Sequence, residues 1–232
     1  QCFQLFYQAL LSITWKDNEP QACSVGVSPT GILFMTEDVT VLQASAFLKS
    51  SLFQRYYFND SPEYSNGFDF RINLKSIVDC LRLLKDTASN LRMFIMKNED
   101  SELRINITDT NAISISDCTI RTLHSYPEQN NFPKDISLIQ DAAQFTIFSN
   151  IVREMFRYPN DTKNKSVGIG ITVDPVEKLF EVRASGIFGN AITRMQLLAE
   201  HKVKFQIQEK LTAYFPVSSL TPVLKAMELS SR

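Results

Sequence analysis

One change of period constrains this chain more than any other feature. Phe68, Phe70 and Ile72 alternate with Asp69, Arg71 and Asn73, the two-residue repeat of a strand with one buried face. From Asn73 onward the repeat is helical. Leu74, Ile77, Val78, Leu81 and Leu84 fall on one side, and Asn73 stands where its side chain can accept from the first free amides of the helix. Lys75, Asp79, Arg82 and Lys85 fall on the other side. A helix pinned to a sheet by its apolar side, with basic groups outward, suits a surface that meets phosphates. A solvated amphipathic helix shows the same face, so the weight of the argument rests on recurrence.

The pattern does recur. Cys2, Phe3, Leu5, Phe6, Ala9, Leu10 and Ile13 predict a first helix, ended before the turn from Asp17 to Pro20. Strands are expected at Ala22–Val27, Gly31–Thr36, Thr40–Leu48 and Gln54–Phe58, joined by turns short enough for antiparallel hairpins. After the strand-helix unit come three more strands, at Leu91–Lys97, Ser101–Thr108 and Ala112–Arg121. Alternation is then lost from Thr122 to Ile139, and Tyr126–Pro133 reads as a surface connector. The expected division is residues 1–121, a connector 122–139 and a second domain 140–232.

In the second domain Gln144–Phe148 predicts a strand, and Ser149 caps a helix that buries Ile151, Val152, Met155 and Phe156 until Pro159 stops it. Arg153 and Arg157 share its outer face. Strands follow at Val167–Val173, Leu179–Ser185, Asn190–Leu197, Val203–Gln208 and Leu211–Phe215. A last helix, Ser218–Leu229, carries Leu220, Val223, Leu224 and Met227 on one face and Lys225 off it, with Pro222 in its first turn. Helix, strands, helix thus occurs twice, roughly 145 residues apart, as two copies of one supersecondary plan would. The fold class is α+β, with amphipathic helices on one side of antiparallel strands. The second copy stops where the first continued for three strands, so the expectation is either that the chain is a fragment or that something else covers the exposed edge.

Composition narrows the function classes. With 232 residues, 44% of them apolar, the chain can bury a real core. Its 24 Lys and Arg against 25 Asp and Glu exclude a simple basic nucleic-acid binder, so cations meant for phosphates must be gathered on one surface. Cys2, Cys23, Cys80 and Cys118 form no C-x-x-C pair, and His124 and His201 are the only imidazoles, which argues against structural zinc and for reduced thiols. No apolar run reaches the length of a membrane span, and Cys2–Ile13, without a basic leader or cleavage site of its own, is expected to be an amphipathic helix. Gly168-Ile-Gly170 lies in a strand pattern without the lysine of a phosphate-binding loop. No metal or other cofactor is expected.

Three stretches carry a resemblance. Val41–Gln54, Phe70–Leu74 with Asp79-Cys80-Leu81, and Phe180–Asn190 ending in Gly186-Ile-Phe-Gly-Asn190 closely resemble the Rad-one subunits of the nine-one-one checkpoint clamp, over nearly the whole chain. More distantly the chain is similar to the sliding clamp called proliferating cell nuclear antigen. The resemblance implies a two-domain DNA-clamp fold and a heterotrimer with two other clamp subunits around double-stranded DNA in the nucleus. It also implies a checkpoint clamp loader and docked repair and signalling proteins as partners. Helices line the hole in such a ring, here residues 2–13, 73–85, 149–158 and 218–229. Residues 112–120 and 190–197 would be the edges that join neighbouring subunits. A strand before Cys2 and closing strands after Arg232, expected of the fold, are not in this sequence, so the second domain is expected to be incomplete.

A ring retains DNA by topology, so cations need only hold phosphates loosely. The DNA-facing candidates are Lys75, Arg82, Lys85, Arg153, Arg157 and Lys225, with Asp79 weakening its own helix. Tyr126, Phe132 and Ile136 beside the connector are candidates for a partner groove, or anchors of the connector on its own domain. Two rival readings stand. A 3'-5' exonuclease would use Asp100 and Glu102 as paired carboxylates for metal ions, but no further acids complete a site, and no catalytic residue is expected. A homotrimeric replication clamp would assemble from this chain alone.

Overall fold

The computed structural model describes residues 2–16, 19–38, 42–58, 67–82, 89–96, 102–109, 115–123, 144–146, 149–161, 168–186, 189–197, 204–207, 209–227 and 229. They group into two compact units, Gln1–Asn131 and Phe132–Arg232. Each has its own core.

In the first unit, helix α1 (Cys2–Ser12) leads into strands β1 (Ala22–Ser28), β2 (Gly31–Asp38) and β3 (Leu42–Lys49). A single 3-10 turn follows at Ser50–Leu52, then β4 (Phe68–Asn73), α2 (Leu74–Arg82), β5 (Ser89–Met96), β6 (Glu102–Asp109) and β7 (Ile115–Arg121). One antiparallel sheet runs β3-β2-β1-β4 and a second runs β5-β6-β7. Beyond β7 the chain returns to β4, where the Leu123 amide donates to the Arg71 carbonyl at 2.7 Å. Strand alternation buries Cys23, Val25 and Val27 on the same side as Phe70 and Ile72. Phe6 and Leu10 of α1 and Leu74, Ile77 and Leu81 of α2 close over that side in one cluster.

The change of period at Asn73 is realised as the sequence predicts, with the Lys75 amide donating to Asn73 Oδ1 at 3.1 Å. Gln54–Phe58 is not a strand. This segment pairs with none of the described strands and is held by side chains instead. The Tyr56 hydroxyl donates to the Ser28 carbonyl at 2.6 Å, and Phe58 stacks on Phe68 with ring centroids 6.4 Å apart.

A buried amide ties the two helices of this unit to the sheet. Gln21 Nε2 donates to the Ile13 carbonyl at 2.9 Å, while its Oε1 accepts from the Trp15 and Lys16 amides at 3.1 Å each. Its own carbonyl accepts from the Leu74 amide, the first of α2, at 2.9 Å. Thr36 Oγ1 adds a second donor to Ile13 at 3.1 Å. The orphan groups at the end of α1 are thus satisfied from distant chain. Gln21→Leu is expected to cost about 3 kcal/mol of unfolding free energy, because buried partners are left unmade. Hydrogen exchange at Trp15 and Lys16 should accelerate with it; unchanged protection there would show that the amide carries no such load.

Cys80 of α2 and Cys118 of β7 are free thiols, and burial together with the neighbouring Cys118 pushes the Cys80 thiol up to about 12. Cys23 is a buried thiol that donates to the Ser24 carbonyl at 3.6 Å.

The second unit repeats the plan. Strand β8 (Gln144–Thr146) precedes α3 (Ser149–Asp161), β9 (Gly168–Asp174), β10 (Leu179–Gly186), β11 (Gly189–Gln196), β12 (Lys204–Gln206), β13 (Leu211–Pro216) and α4 (Val217–Met227). Its main sheet runs β11-β10-β9-β13, antiparallel throughout, and β8 pairs with β12. Taking β9, β10, β11 and β13 for β1, β2, β3 and β4, the strand order is that of the first unit, with a helix before and after. Val152, Met155 and Phe156 of α3 pack with Ile169, Val173, Phe180 and Val182.

Three helical details differ from expectation. α3 continues through Pro159 to Asp161, since a proline forfeits one backbone bond without forbidding a further turn. α4 begins a residue earlier than expected and holds Pro222 in its interior. Pro222 is buried there and Val223 is 36% exposed, so the inward face is Leu220, Leu224 and Met227 without Val223.

Two carboxylates brace the unit-two sheet. Glu181 accepts from Arg194 Nε at 2.7 Å and from Arg183 Nη2 at 3.0 Å, and these arginines, Arg194 first, hold its pKa below the ordinary value against the opposing effect of burial. Asp174 accepts from the Glu177 and Val176 amides and from Lys210 at 3.2 Å, and is lowered likewise, the Glu177 amide contributing most. Groups lowered on folding contribute stability that is full above the unfolded carboxylate range and lost as pH falls through their folded values. The thermal midpoint of this unit should therefore hold from neutrality to about pH 5 and drop below about pH 4. Glu181→Gln should flatten that drop; a midpoint insensitive to the substitution would remove Glu181 from the account.

Candidate nucleic-acid interface

A helix pair covers one side of each main sheet, and the candidate cations other than Lys85 sit on those helices. In the first unit α1 contributes none, for its sequence from Cys2 to Ser12 contains no charged residue, and among the described side chains its exposed groups are Gln4, Leu5 and Gln8. All of the charge comes from α2. There the helical period that buries Leu74, Ile77, Val78 and Leu81 turns Lys75, Asp79 and Arg82 outward.

Arg82 is engaged twice. Its guanidinium lies 3.7 Å from Asp79 Oδ1, one turn back, and it donates to the Tyr7 hydroxyl of α1. The Tyr7 hydrogen bond is the larger influence raising its pKa, with Asp79 adding to it. Tyr7 is itself buried, so this contact links the two helices. Because Arg82 and Asp79 are both well exposed, their pairing is worth little to stability, but it offsets part of the positive charge of the helix at that end. Lys75 is half-buried one turn before Asp79.

In the second unit α3 and α4 pack together. Arg153 is exposed on α3 beside exposed Glu154, while Lys225 is half-buried on α4. Arg157 occupies the helical position four residues after Arg153, and its side chain lies outside the described residues. Lys85, Tyr126, Phe132 and Ile136 lie outside them altogether, as does the connector beyond Leu123. The structure therefore gathers Lys75 with Arg82 in one unit, and Arg153 with Lys225 on neighbouring helices in the other.

What such an arrangement can do is limited. Scattered lysines and arginines on a helix surface contact phosphates and read no bases. Among the described residues no group of three or more His, Cys, Asp or Glu could hold a metal ion. Of the acidic pair weighed for nuclease chemistry, Asp100 is outside the described residues and Glu102 accepts from Arg104 Nη2 at 3.3 Å.

Sequence reasoning missed the Tyr7 contact and the brace of Glu181 with Arg183 and Arg194. The first joins two helices far apart in the chain, and no local pattern signals it. The second had a signal in the strand alternation, which puts Glu181 and Arg183 on one face of β10.

A family model described as "Repair protein Rad1/Rec1/Rad17" matches residues 1–232. No curated protein matches the chain.

Proposed function

We propose that this chain, which belongs to the Rad1/Rec1/Rad17 family of repair proteins and is a checkpoint-clamp subunit, acts without catalysis as one third of a heterotrimeric ring on double-stranded DNA. In this reading each unit is a clamp domain, the helix layers meet the duplex, and two unlike subunits complete the ring. A clamp loader opens it at damaged sites in the nucleus, and repair and signalling proteins dock outside. The observation that carries the reading is the repeated topology: the strand orders β3-β2-β1-β4 and β11-β10-β9-β13, each flanked by helices, come from sequences with little in common. Encirclement asks for repeated lobes rather than for a reactive centre. Loose phosphate contacts then favour sliding over arrest.

Mass measurement of the chain co-purified with two other clamp subunits tests this directly. One copy each of three unlike chains is the expected result, and the complex should stay on closed circular duplex while running off linear DNA. A trimer of this chain alone would favour a replication-type clamp. Metal-dependent nuclease activity of the isolated chain, abolished by Asp100→Asn with Glu102→Gln, would replace the reading with an enzymatic one.

A further inference from the structure

In that reading the face of the unit-two sheet opposite α3 and α4 lies outside the ring, and it is built in an ordered way. Strand register lays its side chains out in rows. Thr212, Thr172, Glu181 and Arg194 stand side by side across β13, β9, β10 and β11. In the next row Tyr214 stands beside Gly170, and Arg183 beside Ile192. The absence of a side chain at Gly170 lets the tyrosine ring lie down, since a Cβ there would come within 3.0 Å of Tyr214 Cε1. Tyr214 remains 75% exposed and Ile192 46%.

Charge on this face is layered. The side chains of Glu181 and Asp174 are 8% and 10% exposed, while those of Arg183, Arg194 and Lys210 are 50%, 60% and 62% exposed. The acids lie beneath and the cations stand above them, so a ligand meets positive charge next to an open aromatic ring. Each arginine spends one nitrogen on Glu181, which orients its guanidinium; the planar fork is a geometric match for a carboxylate. Three cations above two acids are few for the dense charge of a duplex, which binds by neutralising many phosphates. They are suited to carboxylates spaced along a peptide. Side chains on one side of an extended segment recur about every 6.8 Å, the same spacing that separates the row of Arg194 from the row of Arg183.

We propose that this face of the second unit docks an acidic, extended peptide segment, its carboxylates on Arg183, Arg194 and Lys210 and an aromatic side chain against Tyr214. The surface is independent of the helix layers, so it can be occupied whether or not DNA is bound.

The test is fluorescence anisotropy of the whole chain with a short labelled peptide of glutamates around a central tryptophan, beside the same peptide with glutamines for glutamates. The glutamate peptide should bind, weaken with added salt, and bind at least about tenfold tighter than its glutamine counterpart. Arg183→Gln, which leaves Glu181 paired with Arg194, should weaken it about tenfold, and Tyr214→Ala about fivefold. Glu181→Gln combined with Arg194→Gln removes both sides of the buried pair together, so the sheet keeps no unpaired carboxylate, and it should weaken binding at least as much as Arg183→Gln. Thermal melts confirm that the variants fold. No binding of the glutamate peptide, equal affinity for the two peptides, or affinity unchanged in the folded variants would overturn the proposal. So would duplex DNA binding that falls in these variants while the peptide does not bind, because the face would then be a nucleic-acid surface.

Discussion

Phe34→Ala should remove about 4 kcal/mol from the unfolding free energy of the first unit, the largest single effect expected of any substitution in it. Phe34 is 2% exposed at the centre of β2, and its ring meets that of Phe6 of α1 with centroids 6.1 Å apart at a tilt of 46°. Truncation deletes the transfer energy of a whole ring and leaves a cavity that a sheet below and a helix above cannot both collapse into. Because α1 rests on the sheet through Phe6, Leu10 and Ile13, its attachment should loosen first. Urea titration followed by circular dichroism gives the measurement, with the transition of the first unit moving to lower urea and that of the second unit unmoved, since its core is separate. A loss below about 1 kcal/mol would mean that the core repacks around the missing ring.

The second large effect concerns DNA. Replacing Lys75, Arg153 and Lys225 by glutamine in the assembled ring should weaken its association with duplex by about 100-fold at low salt and lower the salt slope by about 3, if each of the three meets one phosphate. Neutral replacements are chosen so that no new repulsion enters. Arg82→Gln alone should have only a small effect, because Asp79 at 3.7 Å already offsets part of the Arg82 charge and Tyr7 occupies one of its donors. The discriminating quantity is the slope. A salt dependence identical to that of the unaltered ring would take these helix faces off the DNA, even if affinity changed for other reasons.

Much of this was legible in the residues themselves. The switch from alternation to helical spacing at Asn73, the cap that Asn73 supplies, and the hairpins through β1, β2 and β3 follow from periods of two and 3.6, which any burial on one side imposes on a strand or a helix. The outward placing of Lys75, Asp79 and Arg82 follows from the inward placing of Leu74, Ile77, Val78 and Leu81 in the same helix. Gln54–Phe58 looked like a strand because aromatic residues favour strands. Propensity is overridden by tertiary context, and here the Tyr56 hydroxyl on the Ser28 carbonyl and Phe58 on Phe68 hold the segment outside the sheet. At α4 the inward face was misread by one position because Pro222 took a buried place that hydrophobicity alone would have assigned to Val223.

Local spacing, then, determined which segments of this chain are strands and helices, which sides they bury, and that one plan is used twice, because those properties depend only on neighbours within a turn or two. Only the tertiary structure decided that Gln21 closes α1 and receives α2, that Tyr7 holds Arg82, and that Glu181 lies buried between two arginines while they stay exposed. Such contacts join residues brought together by packing, and a hydrogen bond between them is set by distance and direction in space, which no periodicity along the chain encodes.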